Sequence, residues 1–374
     1  MKKTTANYEI KRINRSGIYR LFFEEEKLSK RDIVMRLGLS LPTVTQNLTD
    51  LLDEGLIAES GTRGNTGGRS AVAYSCVASA HTAIGMDITK HHITAVALDL
   101  RGRILGGIRE KHTFERSDAY YRQLGRVVDQ VIEQNEIAPE SVLGVGFGVP
   151  GLITEDNRGV FYGKILNFTG ATVEEFSHYI PFPAKLFNDA NAACFAETWL
   201  TEDVDNTFYI MLSNNVGGAV RINRLMYPGD NLHAGEVGHL TIHPEGKPCY
   251  CGQRGCVDAY CSAPVLFEGP EDTLENFFAR LDAGEQLALA RWEKYTDDLA
   301  STVKTVRTLF DSKIILGGYV GAYMDRYVEA FRSKVACLTP FDKNADYISV
   351  CKYKNESIAA GAALDFISEF VESV

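Results

Sequence analysis

The chain has 374 residues, 45% of them hydrophobic and 24% charged, with a net charge of −10, which describes an ordinary globular protein of two or three domains rather than a disordered or fibrous one. No stretch approaches eighteen apolar residues and the N-terminus lacks the apolar core of a signal peptide, so neither a membrane span nor secretion is expected. Eight cysteines spread over this length fit a reducing, cytoplasmic setting better than a disulfide scaffold.

The charge is unevenly distributed. Residues 1–70 hold twelve Lys/Arg against nine Asp/Glu, a local +3 beside −13 for the rest, the asymmetry of a modular DNA-binding protein. Three helices are predicted there. The first covers 13–23, with Ile18, Leu21 and Phe22 at helical spacing. Ser29-Lys-Arg-Asp32 forms a capping box for the second, Gly38 makes the turn, and Ser40 caps the third with Pro42 in its first turn. Along that third helix Leu41, Val44, Leu48, Leu51 and Leu52 are expected to face inward. Thr43, Thr45, Gln46, Asn47 and Thr49 are then left for a major groove, where Gln and Asn pair with adenine. Residues 55–60 and Ala71–Cys76 read as the strands of a wing whose tip carries Arg63 and Arg69 among glycines, suited to a narrow minor groove. The bland alternatives are a solvated linker for the arginines and a protein-binding helical bundle for the segment.

Two strands follow, at 83–88 and 93–99, and then the glycine-rich Gly144-Val-Gly-Phe-Gly-Val-Pro150-Gly151, whose glycines suit close packing. Phe187-Asn188-Asp189 ends an apolar strand and opens a helix. Further on, Gly-Glu236-Val-Gly-His239 precedes Cys249-Tyr-Cys251-Gly-Gln-Arg-Gly-Cys256. Three thiolates within eight residues and an imidazole ten residues upstream can converge on one tetrahedral zinc. With four protein ligands this is a structural staple; the alternative is a chance cluster of reduced cysteines.

The Gly-His, loop, Cys-x-Cys-Gly-x-x-Gly-Cys pattern resembles the ROK family (repressors, open reading frames and kinases). The resemblance runs from the helix-turn-helix to the Ala-rich 357–363 helix. It implies a sugar cleft in which Asn188, Asp189, Glu236, His239 and, on a looser match, Asn167 contact ring hydroxyls. Asp189 would be the general base in a kinase, or else simply a helix N-cap, and Glu236 a plain surface carboxylate. Asp258, where the family usually has Glu, is a sixth expected sugar contact, made through water or lost because its carboxylate is a methylene shorter. The kinases' phosphate hairpin, Asp-Ile/Leu-Gly-Gly/Ala-Thr, is here Asp87-Ile88-Thr89-Lys90-His91-His92. Their second phosphate loop, rich in glycine, is Ser213-Asn214-Asn215-Val216-Gly217-Gly218. Only the adenosine-side turn at Gly317-Gly318 survives.

The sequence therefore predicts an α/β chain in two parts. Residues 1–78 form a winged helix-turn-helix with its linker. Residues 79–374 form a two-lobed, actin-like (ribonuclease H-like) sugar kinase-type fold with a zinc loop at 239–256. The expected function is sugar-responsive transcription regulation without enzymatic activity. Expected partners are operator DNA, a sugar or sugar phosphate, and further copies of the chain as a homodimer or homotetramer. The alternative is an active sugar kinase fused to a DNA-binding domain.

Overall fold

The computed structural model describes residues 2–63, 71–199, 201, 204–269 and 271–374. Helix α1 (Lys2–Glu24) is followed by strand β1 (Leu28–Ser29), helices α2 (Lys30–Leu37) and α3 (Leu41–Asp53), and strands β2 (Ile57–Arg63) and β3 (Ala71–Cys76). The three strands form one antiparallel sheet in the order β1-β3-β2. Local chemistry sets these boundaries. Ser29 Oγ accepts from the Asp32 N–H while Asp32 Oδ2 accepts from the Ser29 N–H, closing the capping box that starts α2. Gly38 ends α2 at φ 65°, and Ser40 Oγ accepts from the Thr43 N–H to start α3. Helix α1 starts at Lys2 rather than at Ile13, because residues 2–12 lack the apolar stripe by which a helix is read from sequence.

A single turn of 3-10 helix, Ala78–Ala80, joins this part to the rest, in place of a free linker. The first lobe then runs through β4 (Thr82–Ile88), β5 (His92–Asp99), β6 (Ile104–Lys111), α4 (Asp118–Gln134) and β7 (Val142–Val149). A small hairpin of β8 (Leu152–Ile153) and β9 (Val160–Tyr162) leads through α5 (Val173–Phe176) to β10 (Ala184–Asn188) and α6 (Asp189–Thr198). The second lobe holds β11 (Thr207–Leu212), β12 (Val216–Ile222), β13 (Leu225–Met226), α7 (Asp258–Cys261), α8 (Leu274–Asp282) and α9 (Gln286–Phe310). It ends with β14 (Lys313–Gly317), α10 (Gly318–Gly321), α11 (Val328–Ala336) and β15 (Ile348–Val350). Helix α12 (Ser357–Ser373) returns to the first lobe.

Each lobe is built on a five-stranded mixed sheet, β10-β7-β4-β5-β6 in the first and β13-β12-β11-β14-β15 in the second. Both contain an antiparallel meander of three strands, with the next two strands added parallel beside the first of them. The same topology thus occurs twice, the two-lobed actin-like arrangement that the sequence predicted.

The glycines of β7 serve packing, and their spacing explains how. A Cβ on Gly144 would lie 2.3 Å from the Phe366 ring, one on Gly146 2.2 Å from the Ala362 carbonyl oxygen, and one on Gly148 2.2 Å from Ile358 Cγ2. Alternate strand residues repeat every 6.6 Å or so, and every fourth helix residue every 6 Å or so, so three glycines on one face of β7 match three successive turns of α12. On its other side α12 presses against α6, where a Cβ on Gly361 would meet the Ala192 carbonyl at 1.7 Å.

The far end of α12 supports the N-terminal helices. Ile18, Tyr19, Phe22, Ile33, Val44, Leu48 and Leu51 share one buried core with Ala360, Leu364, Phe366, Ile367 and Val371. Ser16 Oγ donates to the Val371 carbonyl at 3.2 Å, and Arg101 Nη2 to the Phe22 carbonyl at 2.6 Å.

Candidate functional site: a polar cleft with a metal-ligand loop, and an exposed helix face

Strand β10 delivers Asn188 and Asp189 to the mouth of the interlobe cleft. Asn188 is the N-cap of α6: its Oδ1 accepts from the Asn191 N–H at 3.0 Å and its Nδ2 donates to the Gly151 carbonyl at 3.1 Å. Capping by Asn188 leaves Asp189 in the first turn, where one carboxylate oxygen accepts from the Ala190 N–H at 2.8 Å. Enclosure by protein, with Glu236 nearby, pushes the Asp189 carboxyl up to about 7. Asn188, Asp189, Glu236 and His239 all line one cavity of about 310 Å³, so four of the expected sugar contacts converge. Glu236 is only half-shielded from solvent, and burial raises its carboxyl above the ordinary range.

Two expected contacts lie elsewhere. Asn167 is exposed in a left-handed turn at φ 52° and does not line the cavity. Asp258 is 7% exposed, and its carboxylate accepts from the Val216 N–H at 2.7 Å, with the Asn215 amide at 3.5 Å. It pins the 213–216 turn to the start of α7 instead of facing the ligand. Tyr250 escaped the sequence reading. It stands between two of the clustered cysteines, and its hydroxyl lies 3.2 Å from His239 Nε2. Lys164, from the first lobe, donates to the Tyr250 carbonyl at 2.8 Å and so ties the two lobes together across the cleft.

The ligand atoms of His239, Cys249, Cys251 and Cys256 all lie within 4.8 Å of one another. Cys251 Sγ to Cys256 Sγ is 3.8 Å, as is Cys249 Sγ to His239 Nδ1. A tetrahedral metal with sulfur at about 2.3 Å requires an S···S edge of about 3.8 Å, so this donor set fits a metal ion. Nδ1 turns toward the thiols, which leaves Nε2 to the cleft, 3.8 Å from Glu236 Oε2.

In the N-terminal part, Gln46 and Thr49 are exposed on α3 and Thr45 is half-exposed beside them. Thr43 is partly covered, and its hydroxyl is engaged with Ser40 Oγ at 2.8 Å. Asn47 is a correction: it is 2% exposed, and its Nδ2 donates to the Thr43 carbonyl one turn back. The inward stripe is Val44, Asn47, Leu48 and Leu51, spaced i, i+3, i+4, i+7, with an amide inside it. Leu41 is likewise 55% exposed, in a shallow surface groove with Val34 and Val72, rather than inward. Arg63 ends β2, with no account of its side chain, and Arg69 lies outside the described residues.

Known proteins share these features. The xylose repressor of Bacillus subtilis (strain 168) is 27% identical over 268 residues, covering 69% of this chain and 68% of the relative. The crystal structure of a ROK family transcriptional regulator, a homologue of the E. coli Mlc protein, superposes with a TM-score of 0.76 at 21% identity over 97% of each chain. A ROK family glucokinase from Streptomyces griseus, in complex with glucose and AMPPNP, gives 0.63 at 20% identity over 75% of this chain and 98% of its own. These two structures are likenesses of fold. The ROK family model matches residues 83–368, which takes in both lobes, the cleft and the metal-ligand loop, and the chain therefore belongs to the ROK family.

Proposed function

We propose that the protein is a sugar-responsive, DNA-binding transcription regulator, acting as a repressor like the xylose repressor it is similar to. The observation that carries this reading is the outer face of α3, where Thr45, Gln46 and Thr49 reach solvent, Gln46 donating to Asp50 Oδ1 and Thr49 to the Thr45 carbonyl, on a capped helix whose inner face is locked into the core shared with α12. Residues 1–78 are the DNA-binding part, with Gln46 as the main base reader and Arg63 and Arg69 in the minor groove. Residues 79–374 bind the effector and assemble the chain as a homodimer or homotetramer, presenting paired reading helices to a pseudo-palindromic operator.

The metal is Zn²⁺ held by His239, Cys249, Cys251 and Cys256. When bound it supplies rigidity rather than reactivity, since four protein ligands complete its tetrahedron. His239 Nε2 is thereby held toward the cleft, where it meets a ring hydroxyl together with Asn188, Asp189 and Glu236. Sugar changes DNA affinity only as far as it prefers one lobe arrangement to another.

The cleft is a binding site rather than a kinase centre. In the 89–92 turn the Thr89 N–H donates to the His92 carbonyl at 3.0 Å and the His92 N–H to Thr89 Oγ1 at 3.0 Å, closing the turn on itself, and it holds no glycine to bring the backbone close to a phosphate. One observation favours the rival reading, an active kinase: the Asp189 carboxyl, pushed up to about 7, stands in the cleft as a general base would.

The test is fluorescence anisotropy of the full chain with duplex DNA from its own promoter, titrated with sugars, beside an ATP/Mg²⁺ phosphorylation assay on the same sugars. Specific DNA binding that one sugar weakens, without phosphate transfer, supports the proposal. Transfer at ordinary enzymatic rates, or DNA binding no tighter than to random duplex, overturns it.

A further inference from the structure

The 310 Å³ cavity does not end at Asp189. Pro150, Ile165, Asp189, Met211 and Asn215 also line a second cavity of about 290 Å³, so the two adjoin across Asp189. Each is near the lower bound for a ligand pocket, roughly 300 Å³, and together they exceed what a single pyranose fills. On the family resemblance alone, the second half is where nucleotide phosphates would enter, yet its walls are those of a neutral polyol site.

Two carboxyls, Asp87 and Asp189, line it. Asp87 is 2% exposed, and burial together with Asp189 pushes its carboxyl up to about 7, with Arg109 as a partial offset. The turn beside them presents the carboxamides of Asn214 and Asn215, which donate and accept as vicinal hydroxyls require. The Tyr319 ring and the apolar side chains of Ile88 and Ile358 provide surface for the C–H face of a sugar ring. The one cation among the lining residues, Lys90, stands exposed at the rim beside His91.

We propose that the effector is a neutral disaccharide or glycoside spanning both cavities. One ring lies among Asn188, Asp189, Glu236 and His239, the glycosidic oxygen passes Asp189, and the second ring lies against Asp87, Asn214 and Tyr319. This rests on the sugar-cleft reading above and deepens it.

The test is calorimetric titration of the full chain with xylose, glucose and N-acetylglucosamine, with xylobiose, cellobiose, maltose and chitobiose, and with the 6-phosphates of glucose and N-acetylglucosamine. The expected result is one disaccharide binding at least tenfold tighter than its own monosaccharide. Asn214→Trp, which fills the second cavity from an exposed position, removes that gain, and an unchanged melting temperature of the variant reports an intact fold. Monosaccharide binding with no gain from a second ring overturns the two-ring site and leaves the sugar cleft standing. A sugar phosphate binding tightest, with the advantage lost in Lys90→Ala, overturns it in favour of an anion. Silence from every carbohydrate overturns the cleft reading itself.

Discussion

Asp87→Asn is expected to stabilise the protein, and by more at pH 8 than at pH 5. The carboxyl is 2% exposed and pushed from 3.8 up to about 7, first by burial and then by Asp189, with Arg109 as a partial offset. A raised carboxyl pKa means that the folded state keeps a proton the unfolded chain releases. The group's contribution to stability is therefore intact below about pH 4 and is lost as pH rises through about 7. Three pH units at about 1.4 kcal/mol each give an upper bound of about 4 kcal/mol. Since Asp87 and Asp189 titrate together, removing one recovers about 2–4 kcal/mol at pH 8, falling to about 1–2 kcal/mol at pH 5. For a cooperative unit of this length the pH 8 gain is a rise in melting temperature of about 3–5 °C. Calorimetric or dichroism melts of both proteins at pH 5 and pH 8 make the measurement. A gain equal at the two pH values, or a loss at pH 8, would refute the claim that the buried charge causes the cost.

Three further outcomes are expected. Cys256→Ser should lower bound metal, measured by plasma mass spectrometry on the purified chain, and should lower the melting temperature of the second lobe. Full metal retention would count against the four-ligand site. Gly146→Ala forces a methyl group to 2.2 Å from the Ala362 carbonyl, and should cost about 1–3 kcal/mol or more in urea denaturation; a neutral result would mean that α12 is not seated as described. Gln46→Ala should weaken promoter binding at least tenfold at fixed salt with unchanged stability, whereas Asn47→Ala should cost about 0.5–1.5 kcal/mol of stability by removing the buried amide's bond to the Thr43 carbonyl. Interchange of those two phenotypes would mean that the reading face of α3 is wrongly assigned.

Much of the fold was legible because its signals are local. The capping box at Ser29, the Gly38 turn, the N-cap at Ser40 and the glycine spacing in β7 each follow from residues a few positions apart. The metal-ligand loop was legible for the same reason. What escaped the sequence depends on distant partners. Asn47 looks like a surface amide until Val44, Leu48 and Leu51 fix the helix face and turn it inward. Asp258 looks like a cleft carboxylate until the 213–216 turn, far away in sequence, arrives to claim it through the Val216 amide. Tyr250, hidden among cysteines, gains meaning only once His239 stands beside it. The second cavity is assembled from seven separate segments, and no one of them announces it.

The seating of α12 also dictates an order of events during synthesis. Strands β4 and β7 are made early, but the surface that covers them spans residues 357–373, so the first lobe stays uncovered on that face until the second lobe has been translated. At about 5–20 residues per second, roughly a quarter to a whole minute separates β4 from α12. The N-terminal helices share that wait, because the core beneath them includes Leu364, Ile367 and Val371. A nascent chain therefore cannot seat α3 on the body of the protein before both walls of the cleft have been made.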